Sequence, residues 1–122
     1  MNEVQLIEGA RRIIPHIRLL IEHAKRGDEK ATLEYRTTHV TPSYESAFKG
    51  CQRLVDTVNP EIDNPNTLPA LAMHAINYAP YVFMGDDFEG VAELRELAIP
   101  TALSFLERMK NVVAAYQPAA QS

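Results

Sequence analysis

One cysteine, no tryptophan and five glycines set the first limits on this chain of 122 residues. The lone thiol, Cys51, cannot close an internal disulfide. No Cys-x-x-Cys pair exists, which excludes zinc-ribbon and thioredoxin-type chemistry. Such cysteine usage fits a reducing compartment, and a cytoplasmic location is expected. No glycine-rich loop leads into a helix at the spacing that cradles a nucleotide phosphate, and no serine sits in a Gly-x-Ser-x-Gly elbow. Apolar runs stay well short of the roughly 18 residues a membrane-spanning helix needs, so no membrane association is expected. The first residues, MNEVQLIEGARR, lack the basic-then-apolar order of a secretory signal. An excess of positive charge is missing too. Twelve Lys and Arg face sixteen Asp and Glu, for a formal charge of -4. Bulk attraction to nucleic acid or to an anionic membrane is therefore weak. The imbalance is uneven: residues 1–58 carry 9 basic and 8 acidic side chains, and residues 59–122 carry 3 and 8.

What remains is ordinary globular material, 46% hydrophobic and 23% charged, enough for one domain over residues 1–117 with a frayed tail at 118–122. Apolar positions Val4, Ile7, Ala10, Ile14, Ile17, Ile21 and Ala24 recur at steps of three and four and predict an amphipathic helix over 3–26. Pro15 predicts a kink near Ile13 or a division into two helices. Gly27 supplies a stop. Residues 31–40 are ambiguous between strand and helix. Thr41 suits an N-cap and Pro42 a first helical position for a helix over 42–58. Its stripe is Tyr44, Phe48, Cys51, Val55 and Val58, widened by Ala47 and Leu54. Asn59-Pro60 and Asn64-Pro65 mark turns. Residues 68–77 read as a short helix or a buried strand, and Tyr81 to Met84 as a strand. A helical period resumes at Glu89, with a break or bend at Pro100. Leu103, Leu106, Met109, Val113 and Tyr116 then share one stripe. The expected fold class is mainly α, with three to four main helices and a possible minor β-hairpin in the middle.

Candidate chemistry is sparse. His16 and His23 lie on one helix, two turns and about 10.5 Å apart, too far for one metal. His39 and His74 stand alone in the sequence. Gly85-Asp86-Asp87 could hold a hard cation through carboxylate oxygens, but a helix cap near Glu89 accounts for the same residues. Cys51 falls on an apolar stripe, where a thiol is inert. Neither a metal nor a cofactor is expected, and no catalytic residue is assigned. Arg11, Arg12, Arg18, Lys25, Arg26, Lys30 and Arg36 are spread through the first third, where they could contact phosphates or simply form a solvated face.

The order of a helix, Ala24-Lys25-Arg26-Gly27, a short polar segment, a helix, a loop and then Leu68-Pro69-Ala70-Leu71 running to Ile76-Asn77 resembles small alkyltransferase-like winged-helix domains over about residues 10–90. That resemblance implies a helix-turn-helix followed by a proline-led strand and a wing. Leu33-Glu34-Tyr35-Arg36-Thr37 replaces the family's Tyr-Gly-x-Leu-Ala, and the reactive Pro-Cys-His-Arg motif is absent. Alkyl transfer is therefore not implied.

The reading that results is a non-enzymatic interaction or regulatory module, a homodimer that meets its partner through Leu106, Met109, Val113 and Tyr116. Tyr44, Phe48, Tyr78, Tyr81, Phe83 and Phe88 add more aromatic surface than one small core requires. The alternative is a winged-helix nucleic-acid binder with Lys49, Gln52 and Arg53 facing the duplex. Two or three cations on one face, flanked by Glu45 and Asp56, weigh against it. A metal-assisted hydrolase built on Asp86 and Asp87 is a third class.

Overall fold

Asn2 opens the first helix by a reciprocal cap. Its side chain accepts from the backbone N–H of Gln5 at 2.9 Å, and its own N–H donates to Gln5 Oε1 at 2.9 Å. Two otherwise orphaned donors are satisfied in this way. The computed structural model describes residues 2–49, 63–83 and 91–116, side chains at 91, 92 and 94 excepted. Helix α1 runs Glu3–Lys25 without a break at Pro15. Pro15 removes one backbone bond and faces solvent. The buried line Leu6, Ile7, Ala10, Ile13, Ile17, Leu20, Ile21 and Ala24 crosses it. Burying each large side chain contributes about 1.5–3 kcal/mol, which outweighs the roughly 3 kcal/mol penalty of one proline. The division into two helices therefore does not occur. The buried face is also turned slightly from the expected stripe, since Val4 is exposed and Ile14 only half-buried.

Gly27 ends α1 at φ +76°. Its N–H donates to Ala24 O at 3.0 Å and that of Asp28 to His23 O at 3.4 Å. These are the two bonds of a Schellman ending, in which glycine takes the left-handed position without strain. Asp28 at once caps α2, Glu29–Tyr35, by accepting from Ala31 N at 3.0 Å. The ambiguous segment 31–40 is thus helical. α2 passes into a π turn, Arg36–Val40, and then into α3, Thr41–Ala47, with no interruption.

Pro42 gives the π turn a cause. It lacks an N–H, and its ring crowds the carbonyl one turn back. The wider turn relieves that crowding, and the N–H of Thr41 reaches Arg36 O, five residues back. Nearby carbonyls gain side-chain partners: Thr37 Oγ1 donates to Leu33 O at 3.0 Å and Thr38 Oγ1 to Glu34 O at 2.7 Å. Thr41 is therefore a helical residue and not the cap expected of it. Residues 50–58 of the anticipated helix 42–58, Cys51 included, lie outside the described residues. Tyr44, Ala47 and Phe48 of its stripe are buried.

Asn64 accepts from Asn66 N at 2.8 Å and, with Thr67, forms a capped 3-10 turn, Pro65–Thr67. It leads into α4, Leu68–Tyr78, and a second 3-10 turn, Ala79–Phe83. The hairpin and proline-led strand expected within 68–84 are thus replaced by helix over 68–83, and no strand occurs among the described residues. Ala, Leu and Met have high helix propensity, and here it prevails over the strand-like brevity of the run. Leu68, Pro69, Ala70, Leu71, Ala72, Ala75 and Ile76 are all buried, which explains why the segment shows no polar face. Helix α5, Val91–Ala115, runs as one helix through Pro100, so of the expected break or bend the break does not occur. The fold is mainly α, with α1 at its centre packed on α3, α4 and α5, and α4 laid along α5. Arg108 on α5 binds Asp63 through Nε at 2.9 Å and Nη2 at 2.6 Å, which ties the entrance of α4 to α5.

Candidate functional site

The reversal at Gly27 brings together side chains that lie far apart in sequence. α2 runs back along α1, so Tyr35 arrives beside His16 and His23. The Tyr35 ring lies 5.3 Å from His23 and 6.2 Å from His16, and stacks on His39 at 4.7 Å and 13°. His16 and His39 are 6.3 Å apart. Three of the four histidines thus surround one phenol. His39 Nδ1 sits 2.7 Å from Thr38 Oγ1, whose proton is already directed to Glu34 O. Sequence spacing treated His16 and His23 only as a metal pair, which hid their shared neighbour. Two pairs could have revealed it: His16 with His23 on one face of α1, and Tyr35 with His39 four apart on the returning segment. Among the described residues no group of three or more His, Cys, Asp or Glu comes together to hold a metal ion.

The Tyr35 hydroxyl lies 3.0 Å from His16 Nδ1. The two side chains share one hydrogen bond, which ties α2 to α1 at this point. Burial pushes the Tyr35 phenol above its ordinary 10.0. Because the folded pKa is the higher one, the contribution to stability is complete below the ordinary value. It is lost as pH rises through the raised one. An absorbance titration of the wild type minus that of Tyr35→Phe is expected to show one phenol ionising above pH 10.0. A midpoint at or below that value would contradict the burial.

Next to this cluster, a cleft between α1 and α3 is lined by Arg12, His16, Pro42, Ser43 and Ser46. It is set by a tight helix crossing one turn away. A Cβ at Gly9 would lie 2.5 Å from Ala47 O, so only glycine allows this approach of the two backbones.

Helix α5 has two unlike faces. Leu106 and Met109, 4% and 0% exposed, belong to the core of the single chain, and Val113 and Tyr116 pack half-buried against it. The four residues anticipated as a dimer surface thus face inward in whole or in part. Tyr44 and Phe48 are core residues, while Tyr78 and Phe83 pack partly buried on the core. The opposite face of α5 carries Leu97 at 52% exposure, Leu103 at 39% and the exposed Pro100 between them, spaced three apart. A third group joins α4 to α5, with His74 stacked on Phe105 at 5.0 Å and Arg108 5.6 Å above the same ring. Lys49 is exposed just after α3. Gln52, Arg53, Asp86, Asp87 and Phe88 lie outside the described residues. Among those described, no helix is long and apolar enough to cross a membrane. Comparison of the chain with family models, with curated proteins and with solved structures finds no match.

Proposed function

We propose that the protein is a helical interaction module that works without catalysis and pairs with a second copy of itself through the outer face of α5. The observation that carries this reading is the run Leu97, Pro100 and Leu103, three exposed apolar residues on consecutive turns of α5. Single exposed leucines are commonplace, whereas a contiguous apolar row on a charged face marks a contact surface. Two-fold pairing, the commonest form of self-association, would set the row of one copy against that of the other. The patch is small beside the roughly 1,200 Å² of a stable interface, so association belongs in the micromolar range.

Sedimentation velocity is expected to show a concentration-dependent dimer. The double variant Leu97→Glu, Leu103→Glu should sediment as a monomer. Its melting temperature should stay close to wild type, since exposed substitutions fall within about 0.5 kcal/mol. A wild-type chain that stays monomeric at high concentration would overturn the reading.

A further inference from the structure

The cleft between α1 and α3 occupies about 440 Å³ and opens to solvent. Its polar lining is made of donors: the Arg12 guanidinium, the His16 imidazole and the hydroxyls of Ser43 and Ser46. Among the described residues no acidic side chain lines it. Arg12 makes no ion pair with any described residue. The serines differ from their neighbours on the same helical run. Thr32, Thr37 and Thr38 all turn their hydroxyls back onto carbonyls of the preceding turn. Ser43 and Ser46 make no such bond to a described residue, so their protons are free for a ligand. The Tyr35 hydroxyl occupies Nδ1 of His16, which leaves Nε2 as the ring nitrogen available to the cleft. Four donors on two facing helices, one of them permanently cationic, match an anion with several oxygens.

We infer that this cleft binds a phosphate group, with Arg12 supplying charge and His16, Ser43 and Ser46 supplying further hydrogen bonds. A guanidinium gains more from a doubly charged tetrahedral anion than from a carboxylate. Donors on both walls can engage separate phosphate oxygens, whereas a carboxylate offers only two. Tyr35 is a positioning residue, since its hydroxyl engages Nδ1 and holds the imidazole in place. The site is independent of self-association, because α1 and α3 form it within one chain.

The test is an NMR titration of the full chain at constant ionic strength and neutral pH. Inorganic phosphate, phenyl phosphate and acetate serve as probes, read at the Arg12 Nε–H and the His16 ring. Saturable, low-millimolar shifts with phosphate are expected. Arg12→Ala should weaken them at least tenfold, and Ser43→Ala with Ser46→Ala severalfold, with melting temperatures unchanged. Tyr35→Phe should weaken phosphate binding while leaving the Arg12 signal responsive. Tighter binding of phenyl phosphate would identify a monoester as the ligand, and equal binding would identify free phosphate. No saturable shift, acetate binding as tightly as phosphate, or full binding by Arg12→Ala would overturn the assignment.

Discussion

Met109→Glu is expected to abolish cooperative folding. Met109 is fully buried on the inner face of α5, within the cluster that also holds Leu106, Val112 and the long apolar line of α1. Deleting such a side chain to alanine already costs about 2–5 kcal/mol. Glutamate adds a charge with no partner in an apolar layer, a penalty of several kcal/mol even after relaxation. Domains of this size hold about 5–15 kcal/mol in all. Circular dichroism should therefore show a broad, weak transition or none at 25 °C. Met109→Leu keeps the volume and should stay within about 1.5 kcal/mol of wild type. A sharp, wild-type melt for Met109→Glu would mean that this face of α5 is not inside the molecule.

Gly9→Ala is expected to destabilise by about 1–3 kcal/mol, the range for overpacking at a tight contact. Helix propensity alone predicts the reverse, a gain of about 1 kcal/mol from replacing a mid-helix glycine. The sign of the result therefore separates local preference from packing. The added Cβ would meet Ala47 O at 2.5 Å, Ala47 C at 3.1 Å and Ala47 Cβ at 3.2 Å. Two of these are backbone atoms, which no rotamer change can move. The crossing of α1 and α3 must open, and Ala10, Phe48 and the neighbouring core lose contact with it. Thermal melts decide the matter, and a raised melting temperature would show that the two helices stand further apart.

The helical architecture was legible wherever apolar residues kept a 3.6-residue period over several turns. Ile7, Ala10, Ile17, Ile21 and Ala24 were placed correctly in the core of α1. Their period determines a face to within about one residue, which is why Val4 fell outside and Leu6, Ile13 and Leu20 came in. Neither Pro15 nor Pro100 divides its helix, and both face solvent. Around Pro15 large side chains bury along one seam, whereas beside Pro100 the buried residues are Ala98 and Ala102, followed by Leu106 and Met109. Helix α4 is buried nearly all round, so its sequence carries no periodic signal and leaves helix and strand as open alternatives. On α5 the stripe through Leu106 and Met109 was found, but an amphipathic stripe looks alike whether it faces its own core or a second molecule. The histidine cluster was missed for another reason, although the His16–His23 and Tyr35–His39 pairs each share a helix face. It depends on a chain reversal, and the residues that cause it, Gly27 and Asp28, carry no trace of what they bring together.

The central place of α1 bears on how the chain is made. Its packing partners α4 and α5 follow far along the chain, and roughly 90 residues separate Lys25 from Ala115. At about 5–20 residues per second, a ribosome takes roughly 5–18 s to cover that distance. Until then Ile13, Ile17, Leu20 and Ile21 lack the surfaces that cover them. Only α2 and α3 follow soon enough to shelter part of the helix. α1 is thus the segment most exposed to chaperones and to premature association during synthesis, and α5 is the element that closes the molecule.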